Sequence, residues 1–92
     1  MPGGVIHAES AVGDAFFYST SGKEILEPSK GVRVKLDENF GGSLLEDAVR
    51  EAKKHAIGAI KNKVEQKTRG SLCNVVVKNV EVKYKVNYGF SS

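Results

Sequence analysis

The chain has 92 residues, of which 40% are hydrophobic and 27% charged, and its formal net charge is +3. This length fits one domain with one thin core, so we predict a single domain over residues 1–92. No apolar run is long enough to span a membrane, the N-terminus lacks the features of a secretory signal, and a lone cysteine cannot form an internal disulfide. We therefore expect a cytoplasmic protein with no membrane partner.

Charge is distributed unevenly along the chain. Residues 1–49 carry four basic and eight acidic side chains, a net charge of −4, whereas residues 50–92 carry ten basic and three acidic ones, a net charge of +7. Three interpretations stay open: attraction of nucleic acid, head-to-tail contact between subunits, and solubility alone.

The N-terminal third predicts short strands separated by turns. Val5–Glu9 and Ala15–Thr20 are β-prone, and the Gly13-Asp14 pair between them is a turn signal. After a turn at residues 21–23, Glu24–Leu26 is expected to pair back as a short strand.

A clean alternation follows a second predicted break at Pro28–Gly31. Val32, Val34 and Leu36 share one face of this segment, and Arg33 and Lys35 share the other. A period of two indicates a half-buried strand.

The segment after Gly41-Gly42 predicts a long helix. Ser43 and Glu46 have capping-box spacing, and the helix is expected to end near Thr68, with Gly70 as its C-terminal cap. Lys63 and Lys67 return to the apolar side, so we expect the apolar stripe to fade near Val64 and the last turn to project toward a neighbouring subunit. The stripe consists of Leu45, Ala48, Val49, Ala52, Ala56, Ala59 and Ile60.

The glycine pair does not predict a phosphate-binding loop. A P-loop needs a lysine and a hydroxyl after its second glycine, and a dinucleotide loop needs G-x-G-x-x-G, but neither pattern is present. Glu46 and Asp47 would also repel an anion from the helix N-terminus. We interpret the glycines as the entry to the helix.

The C-terminal segment from Leu72 to Phe90 has the strongest β pattern. From Val80 onward, apolar side chains alternate with Glu81, Lys83, Lys85 and Asn87, so Tyr84 is expected to face the core with the valines. The alternation changes phase at Lys78-Asn79. A tight turn there would give a hairpin, and a bulge would give one bent strand.

Metal binding and catalysis have little support in the residue spacing. Cys73, His55 and His7 are the candidate metal ligands, but no two of them have ligand spacing, so an intrachain metal site is not favoured. Symmetric copies of Cys73 or His55 in an oligomer could also build a site. Cys73 has no histidine or carboxylate beside it in the sequence, and no Ser-His-Asp grouping is evident. We therefore expect that the protein is not an enzyme and assign no cofactor.

Nucleic-acid binding is the alternative function. Single-strand binders place aromatic and basic side chains on one surface, whereas Tyr84 points away from Lys83 and Lys85 in a strand. A contact with phosphates alone, made by Arg33, Lys35, Lys83 and Lys85, stays open but is not favoured.

These elements predict an α+β domain of two layers, in which one long helix packs on an antiparallel β-sheet. The run from Phe17 to Gly89 resembles the YbjQ-like family of small proteins described as heavy-metal-binding. The resembling segments are Tyr18-Ser19-Thr20, Gly22-Lys23-Glu24-Ile25, Gly31-Val32-Arg33-Val34, Gly41-Gly42-Ser43, Asn74-Val75-Val76 and Tyr88-Gly89.

A second resemblance is to the dodecins, small flavin-binding shells. Residues 46–50 are similar to the start of their helix and residues 82–90 to their last strand, but no tryptophan is present to stack on a flavin. Both resemblances imply a helix on a sheet within a ring or shell of identical subunits. We therefore expect a non-enzymatic homo-oligomeric binding or scaffold protein, with a metal ion or small molecule as its ligand; the alternative is a basic module that binds nucleic acid or protein.

Overall fold

In a computed structural model, which describes residues 4–68 and 74–86, the chain forms three strands and one helix. Their order is β1 (Gly4–Tyr18), β2 (Glu24–Gly42), α1 (Leu45–Thr68) and β3 (Asn74–Val86). The strands form one antiparallel sheet in the order β2-β1-β3, and α1 packs on one face of it. The predicted α+β fold, one long helix on an antiparallel sheet, is confirmed.

The helix lies directly on the central strand because both surfaces carry small side chains. Ala48, Ala52 and Ala56 of α1 are fully buried, as are Ala8 and Ala15 of β1. Larger apolar side chains come from the two outer strands and complete the core beside the helix. They are Val32, Val34, Leu36 and Phe40 of β2, and Val77, Val80 and Val82 of β3.

The apolar stripe of α1 runs further than the sequence predicts. Val64 is 1% exposed and belongs to the same core cluster as Phe17 and Val75. The ammonium of Lys63 donates a hydrogen bond of 2.6 Å to the backbone carbonyl of Arg33. The stripe therefore extends one turn beyond Ile60 to Val64, and Glu65 and Gln66 after it are exposed. The contact of the last turn with a neighbouring subunit stays a prediction.

The two predicted breaks in the N-terminal half are bulges within long strands. β1 continues through Gly13-Asp14, and β2 continues through Pro28–Gly31. The pairing of β1 with β2 shifts register at the Gly13-Asp14 step, and Gly31 has a φ of 66°. A bulge absorbs an extra residue while the strand goes on, so glycine signals that resemble a turn can lie inside a sheet.

The phase change in the C-terminal segment is also a bulge. β3 is continuous, Asn79 has a φ of 55°, and the pairing of β1 with β3 shifts register between Val12 and Asp14. Val80 and Val82 contact the core beneath the helix, as predicted, whereas Tyr84 at the edge is 37% exposed. The predictions for Gly70, Cys73 and residues 87–90 lie outside the described residues.

The helix begins one residue later than the capping-box prediction requires. The amide of Leu44 donates to Oδ2 of Asp47 at 3.2 Å, and the amide of Asp47 donates to the carbonyl of Leu44 at 3.1 Å. The reciprocal pair is therefore Leu44 and Asp47 instead of Ser43 and Glu46. The reason is that β2 continues to Gly42, which moves the chain's entry to the helix downstream.

Two paired glycines let the helix start lie against the strand ends. Gly4 is opposite Gly42 in the sheet. A Cβ on Gly4 would lie 2.4 Å from Cα of Leu45, and a Cβ on Gly42 would lie 2.6 Å from Cβ of Asp47. Gly4 and Gly42 thus permit close packing between the strand ends and α1, whereas a Cβ on Gly41 would make only ordinary contacts, the nearest at 3.7 Å.

We predict that Gly42→Ala lowers the free energy of unfolding by about 1–3 kcal/mol, because the added methyl group overpacks the helix start. Gly58→Ala is the matched control, since a Cβ at Gly58 meets no atom within 4 Å. That change should stabilise the protein by roughly 0.5–1 kcal/mol, because alanine is the better helix former. Urea unfolding followed by circular dichroism measures both, and an unaffected Gly42→Ala variant would contradict the close packing.

Candidate functional site on the open face of the sheet

The face of the sheet opposite α1 is the candidate functional site, and we call it the open face. No element among residues 4–68 and 74–86 covers it, because the helix packs on the other face. The central strand contributes polar and apolar side chains to it in alternation with the buried ones. They are His7, Ser10, Val12, Asp14 and Phe16.

The structure brings the four basic candidates together on this face. Ser10 lies between Lys35 of β2 and Lys83 of β3, Val12 lies opposite Arg33, and His7 lies opposite Lys85. All four basic side chains are exposed, and the valines that alternate with them face the helix. A cationic band therefore crosses the three strands.

Two glutamates reduce the charge of this band. The carboxylate of Glu9 lies 3.8 Å from Nζ of Lys83 and 3.5 Å from Nζ of Lys85. Glu81 lies opposite Val12, two residues before Lys83 and on the same face of the strand. It has no hydrogen bond or ion pair with any described residue. The open face is therefore mixed in charge, with one acidic side chain left available for a partner.

A shallow groove of ≈ 380 Å³ crosses the middle of the open face. Val12 lies at its centre, Arg33 borders it on the β2 side, and Glu81 and Lys83 border it on the β3 side. The groove offers an apolar contact between groups of opposite charge. Such an arrangement suits a small molecule or a peptide side chain that carries charge of its own.

The apolar end of the open face lies beyond Asp14. Phe16 of β1 is opposite Val76 of β3, which is 38% exposed, and Nζ of Lys78 lies 5.4 Å from the centre of the Phe16 ring. A cation over an aromatic ring is attracted by the electron density of its face. Polar and apolar contacts are thus available side by side along the strands.

His7 holds a bulge of β2 from the open face. Its Nδ1 lies 2.7 Å from Oδ1 of Asn39, and its Nε2 lies 3.0 Å from Oδ1 of Asp37, which has a φ of 47°. Both neighbours are acceptors, so both ring nitrogens donate only in the charged imidazolium. The hydrogen bond to Asn39, followed by the bond and charge of Asp37, raises the pKa of His7, with a smaller contribution from Glu9.

Asp14 holds two further bulges. Its Oδ1 accepts a hydrogen bond of 3.0 Å from the amide of Gly31, and its Oδ2 accepts one of 2.9 Å from Nδ2 of Asn79. These bonds, the one from Asn79 first, lower the pKa of Asp14, and the charge of Lys30 adds to the effect. The left-handed residues within the described parts of β2 and β3 are therefore all held by two side chains of β1.

The structure does not bring the candidate metal ligands together. His55 lies on the helix, with its Nε2 3.5 Å from Oε1 of Glu38 and its ring against Phe40, whereas His7 lies on the open face. Cys73 falls outside the described residues. Within residues 4–68 and 74–86, no group of three or more His, Cys, Asp or Glu side chains could hold a metal ion.

Sequence reasoning missed the part of this site that β1 supplies. Reading Gly13-Asp14 as a turn divided β1 into two short strands, so Ser10, Val12 and Asp14 received no role. The signal was present in the alternation of Ala11, Gly13 and Ala15, which continues through the glycine on the buried face.

Comparison with models of known protein families, with curated proteins and with solved structures found no match. In the described part of the chain, no helix combines the length and the apolar character needed to cross a membrane.

We predict that His7 makes the stability of the protein depend on pH. Its pKa in the folded state lies above the ordinary value of 6.5, so its stabilising contribution is complete below pH 6.5 and is lost as the pH rises through the raised pKa. Chemical denaturation at several pH values should show this loss in the unmodified protein and not in His7→Ala. His55→Ala, which leaves the contacts of His7 intact, is the control.

An NMR titration of the His7 ring provides the direct check. Its midpoint should lie above 6.5 and should fall in Asn39→Ala, because Asn39 is the largest cause of the shift. A midpoint at the ordinary value, or equal pH dependence in His7→Ala and the unmodified protein, would contradict the role of His7.

Proposed function

We propose that this chain is a non-enzymatic binding or scaffold protein that acts as a small homo-oligomer and uses the open face to bind a ligand. One observation carries the proposal: the helix covers one face of the sheet, and no element of the described residues covers the opposite face. The outer strands β2 and β3 each leave a row of backbone N–H and C=O groups that no strand of the described residues pairs with. A domain of this size has a small core, and association is a common way to add buried surface.

The exposed apolar side chains support association. Val5, Ile25 and Val76 are between 38% and 45% exposed, and Leu44 at the helix start is 58% exposed. β2 and β3 each pair with one strand only within the described residues, so each has a row of backbone groups that another strand could use. Burying these groups against identical subunits is the simplest way to satisfy them.

The roles of the titratable side chains support a protein without catalysis. His7 and Asp14, whose pKa values are shifted, make hydrogen bonds that hold bulges in the neighbouring strands. No polar side chain of the described residues is buried, and the groove is shallow. Enzymes usually place perturbed groups in a cleft that excludes water, and this arrangement suits reversible binding instead.

The groove supports a small ligand more directly than it supports a metal ion. Arg33 and Lys83 are suited to an anionic group and Glu81 to a cationic one, with Val12 between them. A metal site would have to combine His7, His55 or Cys73 from several subunits. The proposal includes both a small molecule and a metal ion as ligand. The mass added to the protein in native mass spectrometry distinguishes the two.

Nucleic-acid binding is the second candidate, and one observation favours it: Arg33, Lys35, Lys83 and Lys85 share the open face. Their contact would be with phosphates, because Tyr84 lies on the opposite face and cannot offer a stacking surface there. Glu9 and Glu81 weaken this reading, since they lie within the same band.

Native mass spectrometry and light scattering of protein purified without chelators test the proposal. We expect a defined multiple of the 9.9 kDa chain, with any bound metal ion or small molecule seen as added mass. A monomer that binds DNA in a salt-sensitive way would favour the second candidate. In that case Arg33→Ala with Lys35→Ala should weaken DNA binding, and Lys53→Ala with Lys54→Ala, an equal loss of charge on the helix, should not.

A further inference from the structure

We infer that β3 pairs with β3 of a second copy of this chain, antiparallel and centred on Val82, so that two three-stranded sheets become one continuous sheet. This inference rests on the proposed self-association and specifies which surface carries it. The free edge of β3 is thus occupied by the β3 strand of a second copy of this chain.

The edge of β2 is protected against another strand. Pro28 has no amide to donate, Gly31 and Asp37 are left-handed bulge positions, and Lys63 already donates to the carbonyl of Arg33. Prolines, bulges and lysines are the devices by which proteins prevent edge-to-edge association. These features recur along most of β2 and leave no long regular stretch for pairing.

The edge of β3 after its bulge, from Val80 to Val86, has neither a proline nor a left-handed residue, and its lysines, Lys83 and Lys85, follow the opposite charge of Glu81. Its pairing with β1 shifts register once, between Tyr84 and Lys83, and the extra residue there, Glu9, belongs to β1. Tyr84, on the helix side of this stretch, is 37% exposed. This stretch is therefore the best template for an added strand among the described residues.

Symmetry limits how two copies of β3 can meet. Antiparallel neighbours related by a two-fold axis perpendicular to the sheet keep both helices on the same side. Side chains directly opposite each other then share a face, so helix-facing residues meet helix-facing residues. With the axis at Val82, Val80 lies opposite the partner's Tyr84 and covers its exposed ring.

Charge and backbone conformation select this register among its neighbours, since an axis at Val80 would set Glu81 opposite the left-handed bulge position of the partner's Asn79. With the axis at Val82, Glu81 lies opposite the partner's Lys83, and Lys83 lies opposite the partner's Glu81. Axes at Glu81, Lys83 or Lys85 would set each of those residues against its own copy, and an axis at Tyr84 would set Lys83 against the partner's Lys85. Opposite charges across a strand pair stabilise it, and like charges destabilise it.

One of the two charges needed for this pairing has no partner in the described part of the chain, namely Glu81. The other, Lys83, lies 3.8 Å from Glu9, which also contacts Lys85, so Glu9 keeps a cationic neighbour if Lys83 turns to the partner's Glu81. Glu81 and Lys83 also border the groove. The pairing would therefore place the grooves of two subunits beside each other on one continuous open face.

Exchange of the two charges provides the test. In Glu81→Lys the new lysine lies opposite the partner's Lys83, and in Lys83→Glu the new glutamate lies opposite the partner's Glu81. Each variant alone should self-associate roughly tenfold more weakly, because two symmetric pairs become repulsive. An equal mixture of the two variants should form mixed assemblies with the affinity restored, since every pair is again of opposite sign. Sedimentation and native mass spectrometry measure both effects.

Glu51→Lys and Lys53→Glu on the exposed side of α1 form the matched control, and neither should change association. If the unmodified protein is oligomeric but the β3 variants associate normally, or if their mixture is not restored, the β3 pairing is wrong while the proposed homo-oligomer stands. If the unmodified protein is a monomer at all concentrations, the proposed function and this inference both fail.

Discussion

The contact between the alanine side chains of α1 and the small side chains of β1 is the constraint on which the rest of the structure depends. Ala48, Ala52 and Ala56 have no exposed surface, and they face a central strand whose buried side chains include Ala8 and Ala15. Short side chains on both surfaces bring the helix close to the sheet. The larger residues of β2 and β3 then complete the core on either side of the helix.

Bulges in the outer strands connect this buried contact to the open face. A bulge bends a strand and increases its twist, which lets long outer strands follow a helix that lies close to the centre. His7 and Asp14 hold these bulges from the side opposite the helix. In β2 the left-handed residues Gly31 and Asp37 interrupt the strand edge, whereas in the described part of β3 the left-handed residue is Asn79 and none follows it up to Val86.

The sequence predicted the helix and the faces of β3 well because their periodicity is local and strong. It placed Ala48, Ala52, Ala56 and Ile60 on one stripe, and each of them is buried. It failed at Gly13-Asp14 because a bulge inside a strand and a turn between strands use the same residues. Alternation along each strand was enough to place the side chains of the four basic residues away from the apolar ones. The groove and the hydrogen bonds of Asp14 could not be predicted in this way, because they depend on pairing between segments that are distant in the sequence.

The most direct test of the central contact is the free energy of unfolding of Ala52→Leu compared with that of Lys53→Leu. Ala52 is fully buried between the helix and the sheet, and Lys53 is exposed next to it. We predict that Ala52→Leu lowers the free energy of unfolding by about 1–3 kcal/mol, because the site has no room for the larger side chain, and that Lys53→Leu changes it by no more than about 0.5 kcal/mol. Equal stability of the two variants would contradict the close seating of α1 on β1.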